Sequence, residues 1–210
     1  MATPARFITF EGGEGAGKST QARRLASALQ ARGIAVCATR EPGGAPGAEQ
    51  IRKLLVEGEP GRWDALTEAL LMFAARADHL AQTIRPALAA GQWVVCDRFT
   101  DSTYAYQGAG RGLEAKTIAA IESVSVQNLK PDLTLILDVP VVTGLSRAGA
   151  RSAHETRFES FDQTFHSRLR DFFHALAQRE PARCVLIDST APADEVAERI
   201  WKTVAAQLGF

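Results

Sequence analysis

The 210-residue chain has no excess charge of either sign: Lys plus Arg and Asp plus Glu each total 24. A balanced chain has no global field to gather a nucleic acid polymer or an anionic membrane, so any anion it binds must be met by local clusters. Long hydrophobic runs are also missing. No apolar stretch approaches the roughly 20 residues that span a bilayer, and residues 1–6 show no charged segment leading into an apolar one. These features predict a soluble, cytoplasmic protein with no membrane partner. Cysteine is scarce, with Cys37, Cys96 and Cys184 widely spaced in apolar, strand-like surroundings. That pattern argues against a disulfide framework and for small buried hydrophobes in a reducing compartment. No internal repeat or inter-domain linker interrupts the chain, so residues 1–210 are expected to form one domain.

What is present has ordinary globular proportions, 46% hydrophobic and 23% charged residues, enough for one well-filled α/β core. Short β-type runs recur at 6–11, 35–40, 92–97, 133–139 and 184–188. Helical patterns fall at 19–32, 64–91 (bent at Pro86), 115–126, 141–148, 161–178 and 193–208. This alternation predicts an α/β fold, a five-stranded parallel sheet with helices on both faces.

Between the first strand and first helix stand Gly12, Gly13, Glu14, Gly15, Ala16, Gly17, Lys18 and Ser19, a full G-x-x-x-x-G-K-[ST] phosphate loop in the right context. Its glycines let backbone N–H groups curl around a polyphosphate at a helix N-terminus. Lys18 can reach the β- and γ-phosphates, and Ser19 can hold Mg²⁺. A nucleoside triphosphate is therefore the expected ligand. In open α/β sheets ligands gather at the carboxyl ends of strands, where this chain places Glu11, Arg40-Glu41 and Asp97-Arg98, with Asp138 and Asp188 closing the other two strands. Asp97 can orient Mg²⁺ and its waters, while Arg98 can grip a phosphate bidentately. Arg111 adds a further cation expected at that edge. Arg147, Arg151 and Arg157 fall in a polar segment without lysine, broken by Gly149 and Ser152. This segment, about 147–160, reads as a short lid that recognises phosphate through planar guanidiniums.

The ordered set of motifs resembles the bacterial thymidylate kinases over nearly the whole chain. The motifs are the phosphate loop, Thr39-Arg40-Glu41-Pro42-Gly43-Gly44, Met72-Phe73-Ala74-Ala75-Arg76, Asp97-Arg98-Phe99, Thr103-Tyr104-Ala105-Tyr106-Gln107-Gly108, Gly110-Arg111-Gly112 and Pro131-Asp132-Leu133-Thr134. The resemblance implies a P-loop nucleoside monophosphate kinase architecture, ATP and dTMP as ligands, Mg²⁺ with the ATP, and a homodimer. It also implies the transfer of the ATP γ-phosphoryl group to dTMP, with Lys18, Asp97, Arg98, Arg147 and Arg151 as the catalytic set. ATP would be held by residues 12–19 with Thr20, and Thr190 and Arg147 would flank its adenine. Arg40 and Arg98 would bind the dTMP phosphate, Glu14 the deoxyribose 3′-hydroxyl, and Tyr106 would lie against the sugar. Arg76, Thr103 and Gln107 would form the polar edge around thymine, and the Pro42 peptide is a candidate for cis geometry. The metal would sit on Ser19 and Asp97.

One detail departs from the commonest form of that family, and a second, in which the chain differs from some relatives, bears on the catalytic charge. The position one helical turn before Arg76, where a thymine-stacking phenylalanine is frequent, is Met72, with phenylalanine next at Phe73; either could reach the base. The phosphate loop holds no arginine, so the lid arginines Arg147, Arg151 and Arg157 are the expected source of transition-state charge. A guanine-reading N-K-x-D motif and a D-x-x-G switch are both absent, which argues against a GTP-dependent module.

Overall fold

The computed structural model describes residues 4–59, 61–150 and 157–209. Strands β1 (Phe7–Glu11), β2 (Val36–Arg40), β3 (Trp93–Asp97), β4 (Leu133–Asp138) and β5 (Cys184–Asp188) form one parallel sheet in the order β2-β3-β1-β4-β5. Their ends lie within one residue of the runs expected from the sequence.

Because successive strand residues point to opposite faces, the sheet feeds separate cores. Ile8, Phe10, Val95 and Leu135 pack with Leu25 and Leu29 of α1 (Lys18–Gln30) and with Ile200 and Val204 of α9 (Ala193–Leu208). Phe7, Val94 and Cys96 pack on the other side with Phe73 of α3 (Ala65–His79) and Ile118 of α6 (Ala115–Ser125). Ile136 joins Leu169 and Phe173 of α8 (Gln163–Arg179) in a third cluster. Each such side chain contributes roughly 1.5–3 kcal/mol on burial, so the strand ends that carry the site stand on a stiff base. Cys96 and Cys184 are buried and Cys37 is half-buried, all three as free thiols.

The long helix expected over 64–91 is continuous but changes register. After α3 it runs through a π-helical turn, Leu80–Ile84, in which Arg85 N–H donates to the Leu80 carbonyl, and then through α4 (Arg85–Ala89). Pro86 has no N–H and its ring crowds the carbonyl four residues back, so the ladder slips by one residue there. Two helical pieces were not expected. One is α2 (Pro46–Val56), whose opening Pro-Gly reads as a turn in sequence but puts proline at the first helical turn, where its missing N–H costs nothing. The other is α5 (Thr100–Thr103) with the π-helical stretch Tyr104–Gly110. Its closing glycine is required: a Cβ on Gly110 would sit 2.4 Å from the Phe165 ring of α8. The remaining helix, α7 (Val141–Gly149), follows β4.

With β1 central and chain connections leading to both sides, the phosphate loop emerges at the topological switch point. Parallel pairing in register, Phe10 with Asp97 and Arg40 with Asp97, brings the carboxyl ends of β1, β2 and β3 together.

Candidate active site

The phosphate loop is shaped by close backbone contacts. A Cβ on Gly12 (φ 128°) would lie 2.3 Å from the Leu137 carbonyl oxygen, and one on Gly15 (φ 66°) would lie 1.8 Å from that of Gly144 in α7. Only glycine fits either place. The loop ends at Gly17, the N-cap of α1, so unsatisfied first-turn amides face the loop's concavity. Lys18 Nζ folds back to donate to the carbonyls of Gly12 (3.0 Å) and Gly13 (2.6 Å). Burial, then the neighbouring Arg98, lower its pKa to about 8, although Glu14, Asp97 and Glu11 pull the other way.

Beside the loop, Ser19 Oγ donates to Asp97 Oδ2, and Asp97 Oδ1 is buried with no hydrogen-bond partner among the described residues. A buried orphan carboxylate oxygen next to a hydroxyl is a hard-oxygen pair of the kind Mg²⁺ takes. No group of three or more His, Cys, Asp or Glu side chains could hold a metal among the described residues. An ion here would therefore complete its shell with water and phosphate oxygens.

Arg98 directly follows Asp97 in the left-handed region, φ 71°, a conformation that costs a non-glycine residue of order 1–3 kcal/mol unless its surroundings enforce it. They do. Arg98 N–H donates to the Phe10 carbonyl at 2.9 Å, and the Phe99 N–H donates to Glu11 Oε1 at 2.8 Å. Ser102 Oγ donates to Glu11 Oε2 at 2.5 Å. Burial and then the charge of Asp101 raise the Glu11 carboxyl to about 8, against the lowering effect of Ser102, Arg98 and the Phe99 amide. The Arg98 side chain reaches the phosphate loop, where Nη2 donates to Glu14 Oε1 at 2.9 Å and the Tyr106 hydroxyl donates to the same oxygen at 2.7 Å. Burial alone would raise the Glu14 carboxyl. Arg98, Lys18 and the Tyr106 hydroxyl outweigh it and hold the pKa at about 2.

These groups open onto a cleft of about 450 Å³, within the range of small-ligand sites. Its far wall carries buried Arg76. There Nε donates to Glu41 Oε2 (2.6 Å), Nη1 to Thr103 Oγ1 (3.1 Å) and Nη2 to the Phe99 carbonyl (3.1 Å). Glu41 Oε1 lies 3.0 Å from His79 Nδ1, and the Glu41-Pro42 peptide is cis. Gln107 lines the same wall and donates from Nε2 to Glu68 Oε1 at 2.8 Å. Arg40 lines the cleft from the end of β2, half-exposed and paired to Glu49.

Not every expected residue lines the cleft. Met72 lines the cleft, whereas Phe73 is 1% exposed in the core, its ring 4.7 Å from the Arg76 guanidinium carbon. Arg111 and Arg157 do not line the cleft. Both pair with Glu68, and Arg157 is 2% exposed with Nη1 on the Leu55 carbonyl. The sequence pattern marks both as arginines without indicating that a buried carboxylate in α3 claims them. Arg147 is not among the lining residues; its two terminal nitrogens donate to the Ser189 and Thr190 carbonyls (2.9 and 3.1 Å), after β5. Arg151 lies outside the described residues, as do residues 151–156 of the expected lid. Arg52, Val56 and Phe158 also line the cleft and were not anticipated. Arg52 and Val56 belong to α2, the helix the sequence does not announce. Phe158 makes a T-shaped contact with Tyr106 at 5.6 Å.

A glycine-built anion loop at the switch point of a parallel sheet, with an Asp-Arg pair leading into a second polar cleft, defines a P-loop phosphotransferase of the nucleoside monophosphate kinase type. The family model described as thymidylate kinase matches residues 10–200. The chain is 56% identical over 208 residues to the thymidylate kinase of Caulobacter vibrioides, covering 99% of this chain and all of that protein. It is 53% identical over 206 residues to that of Rhizorhabdus wittichii, covering 98% and 99%. Among solved structures, thymidylate kinase from Ehrlichia chaffeensis superposes with a TM-score of 0.79 at 33% identity, covering 96% of this chain and 99% of that one. This chain belongs to the thymidylate kinase family.

Proposed function

We propose that this chain performs its family's reaction in the cleft between Lys18 and Arg98, transferring the γ-phosphoryl group of ATP to dTMP to give dTDP and ADP. The supporting observation is the juxtaposition itself: Glu14, in the triphosphate loop, shares one carboxylate oxygen between Arg98 and Tyr106 of the neighbouring cleft.

The loop amides, Lys18 and Thr20 hold the ATP phosphates, and the Ser189–Thr190 turn with Arg147 flanks adenine. Ser19 and Asp97 hold Mg²⁺, which when bound neutralises charge on the β- and γ-phosphates. Arg98 and Arg40 grip the dTMP phosphate and aim one of its oxygens in line at the γ-phosphorus. The new P–O bond forms as the bond to the β–γ bridging oxygen breaks, and ADP departs with that electron pair. The acceptor phosphate is already anionic at pH 7, so no general base is needed. The rate derives from positioning and from charge stabilisation. Glu14 accepts from the 3′-hydroxyl, Tyr106 lies against the sugar, and Pro42 and Met72 pack beside the nucleoside. Phe73 supports Arg76 from the core. Arg76, Thr103 and Gln107 meet the polar edge of thymine. Arg151 remains the cation assigned to the transition state, and Arg151→Ala should lower kcat while leaving dTMP affinity nearly intact.

We also assign the chain to the cytoplasm, in keeping with three unpaired thiols, and to a homodimer. Leu66 and Leu70 of α3 and Val124 of α6 are 43%, 49% and 78% exposed on helices that pack together. Among the described residues no helix is long and apolar enough to cross a membrane. A coupled assay of ADP release with dTMP, dUMP, dCMP, AMP and thymidine tests the acceptor. The fastest turnover should come with dTMP. Preference for another monophosphate, or for thymidine, would move the chain to a different acceptor class.

A further inference from the structure

Glu68 sits in α3, completely buried, and takes part in no step described above. Its Oε1 accepts from Gln107 Nε2 at 2.8 Å and lies 3.0 Å from Arg111 Nη1, while Oε2 meets Arg157 Nη2. Every neighbour of the carboxylate that these contacts identify is a donor, and a carboxylate between two guanidiniums can only accept. The Gln107 amide is thereby oriented, with its NH₂ end committed to Glu68 and its carbonyl end left for the cleft that Gln107 lines. Arg76, alongside, is donor-only and fixed by Glu41. The wall thus offers a donor beside an acceptor. That pair complements a pyrimidine with a carbonyl at C4 and a ring N3–H, and it mismatches cytosine, which has an amino group at C4 and a bare N3.

We propose that Glu68 is a specificity-determining positioning residue, setting the hydrogen-bond polarity of Gln107 so that the cleft accepts 4-oxo pyrimidine nucleotides and rejects 4-amino ones. The inference rests on the proposed placement of the base against Arg76 and Gln107.

The decisive variant is Glu68→Gln with Arg111→Met, which keeps the net charge of the buried cluster. The oxygen of the introduced amide should turn to Arg157 and its NH₂ to Gln107, forcing the Gln107 amide to present its own NH₂ to the cleft. The ratio of kcat/KM for dTMP to that for dCMP should fall at least about tenfold, the order expected for a lost buried hydrogen bond. Arg111→Met alone leaves Glu68 in place and should keep the wild-type ratio. A parallel loss with both nucleotides would mark a structural role only and overturn the proposal. A second measurement needs no variant: in the wild-type enzyme, nitrogen-15 NMR should find a slowly exchanging Gln107 side-chain NH₂. Exchange as fast as that of a solvent-exposed glutamine would also overturn the proposal, even if the double variant failed to fold. If the wild-type enzyme itself did not prefer dTMP to dCMP, the base placement would fail first, and the two failures are thereby distinguished.

Discussion

The two halves of the cleft are made of different materials. The donor half is chiefly backbone: glycines pressed against the Leu137 and Gly144 carbonyls, the amides at the start of α1, and one lysine resting on loop carbonyls. The acceptor half is side chain against side chain, with Arg76 fixed by Glu41 and Thr103, and Gln107 fixed by Glu68. A backbone cradle binds any polyphosphate, because the peptide N–H does not depend on what surrounds it. A buried side-chain lattice fixes which end of each polar group faces the ligand, and so can choose a base. On the proposed function, this construction gives generality on the donor side and selectivity on the acceptor side.

The contrast can be broken by variants that should act on one half only. Lys18→Met should have the largest effect, lowering kcat by about 100- to 1000-fold, the scale of a lost charge-stabilising donor, with dTMP affinity changed little. A comparable loss of dTMP binding in calorimetry would mean the halves are not separable. Arg76→Ala should raise KM for dTMP by about 10- to 100-fold, equivalent to roughly 1.5–3 kcal/mol for a hydrogen bond from a charged group, with the affinity for a non-hydrolysable ATP analogue intact. Equal weakening of that analogue would erase the distinction.

A smaller effect sharpens the donor side. Lys18 has a pKa near 8 in the free chain, and phosphate oxyanions favour its charged form, so triphosphate binding at pH 8.5 should take up a fraction of a proton. Binding enthalpies measured in two buffers of different ionisation heat should differ, and Lys18→Met should remove most of that difference. Identical heats for the wild type would contradict the lowered pKa. The same shift has a stability sign. The unfolded lysine holds its proton up to its ordinary pKa of 10.5 and the folded one releases it at about 8, so Lys18 by itself contributes stability that grows as pH rises through that window, and Lys18→Met should remove this contribution from the ligand-free chain's pH profile. The smallest expected change is Tyr106→Phe. Removing the 2.7 Å bond to Glu14 should cost about 0.5–1.5 kcal/mol, visible as a modest rise in KM for dTMP alone.

The two halves also differ in how far sequence reveals them. The phosphate loop is eight consecutive residues between a strand and a helix, so its chemistry is local and legible. The strand ends were legible because buried parallel strands are short apolar runs closed by charge, as at Asp97-Arg98. The acceptor wall is assembled from α2, α3 and the α5 and π-helical stretch after β3, and no local pattern states which arginine faces the cleft. Arg111 and Arg157 read as phosphate ligands by composition, yet a single carboxylate, Glu68, pairs with both inside the fold. Met72 and Phe73 are adjacent in sequence, and only the packing of α3 against the sheet decides that phenylalanine goes to the core. Helix α2 stayed hidden because Pro46-Gly47 suits a turn as well as a helix start.

The most direct test follows the label from ATP carrying a radioactive γ-phosphate, offered dTMP and dCMP together at equal concentration. Label should appear almost wholly in dTDP, with ADP formed in equal amount. Label released as inorganic phosphate, or shared evenly with dCDP, would contradict a donor loop coupled to a base-selective acceptor wall.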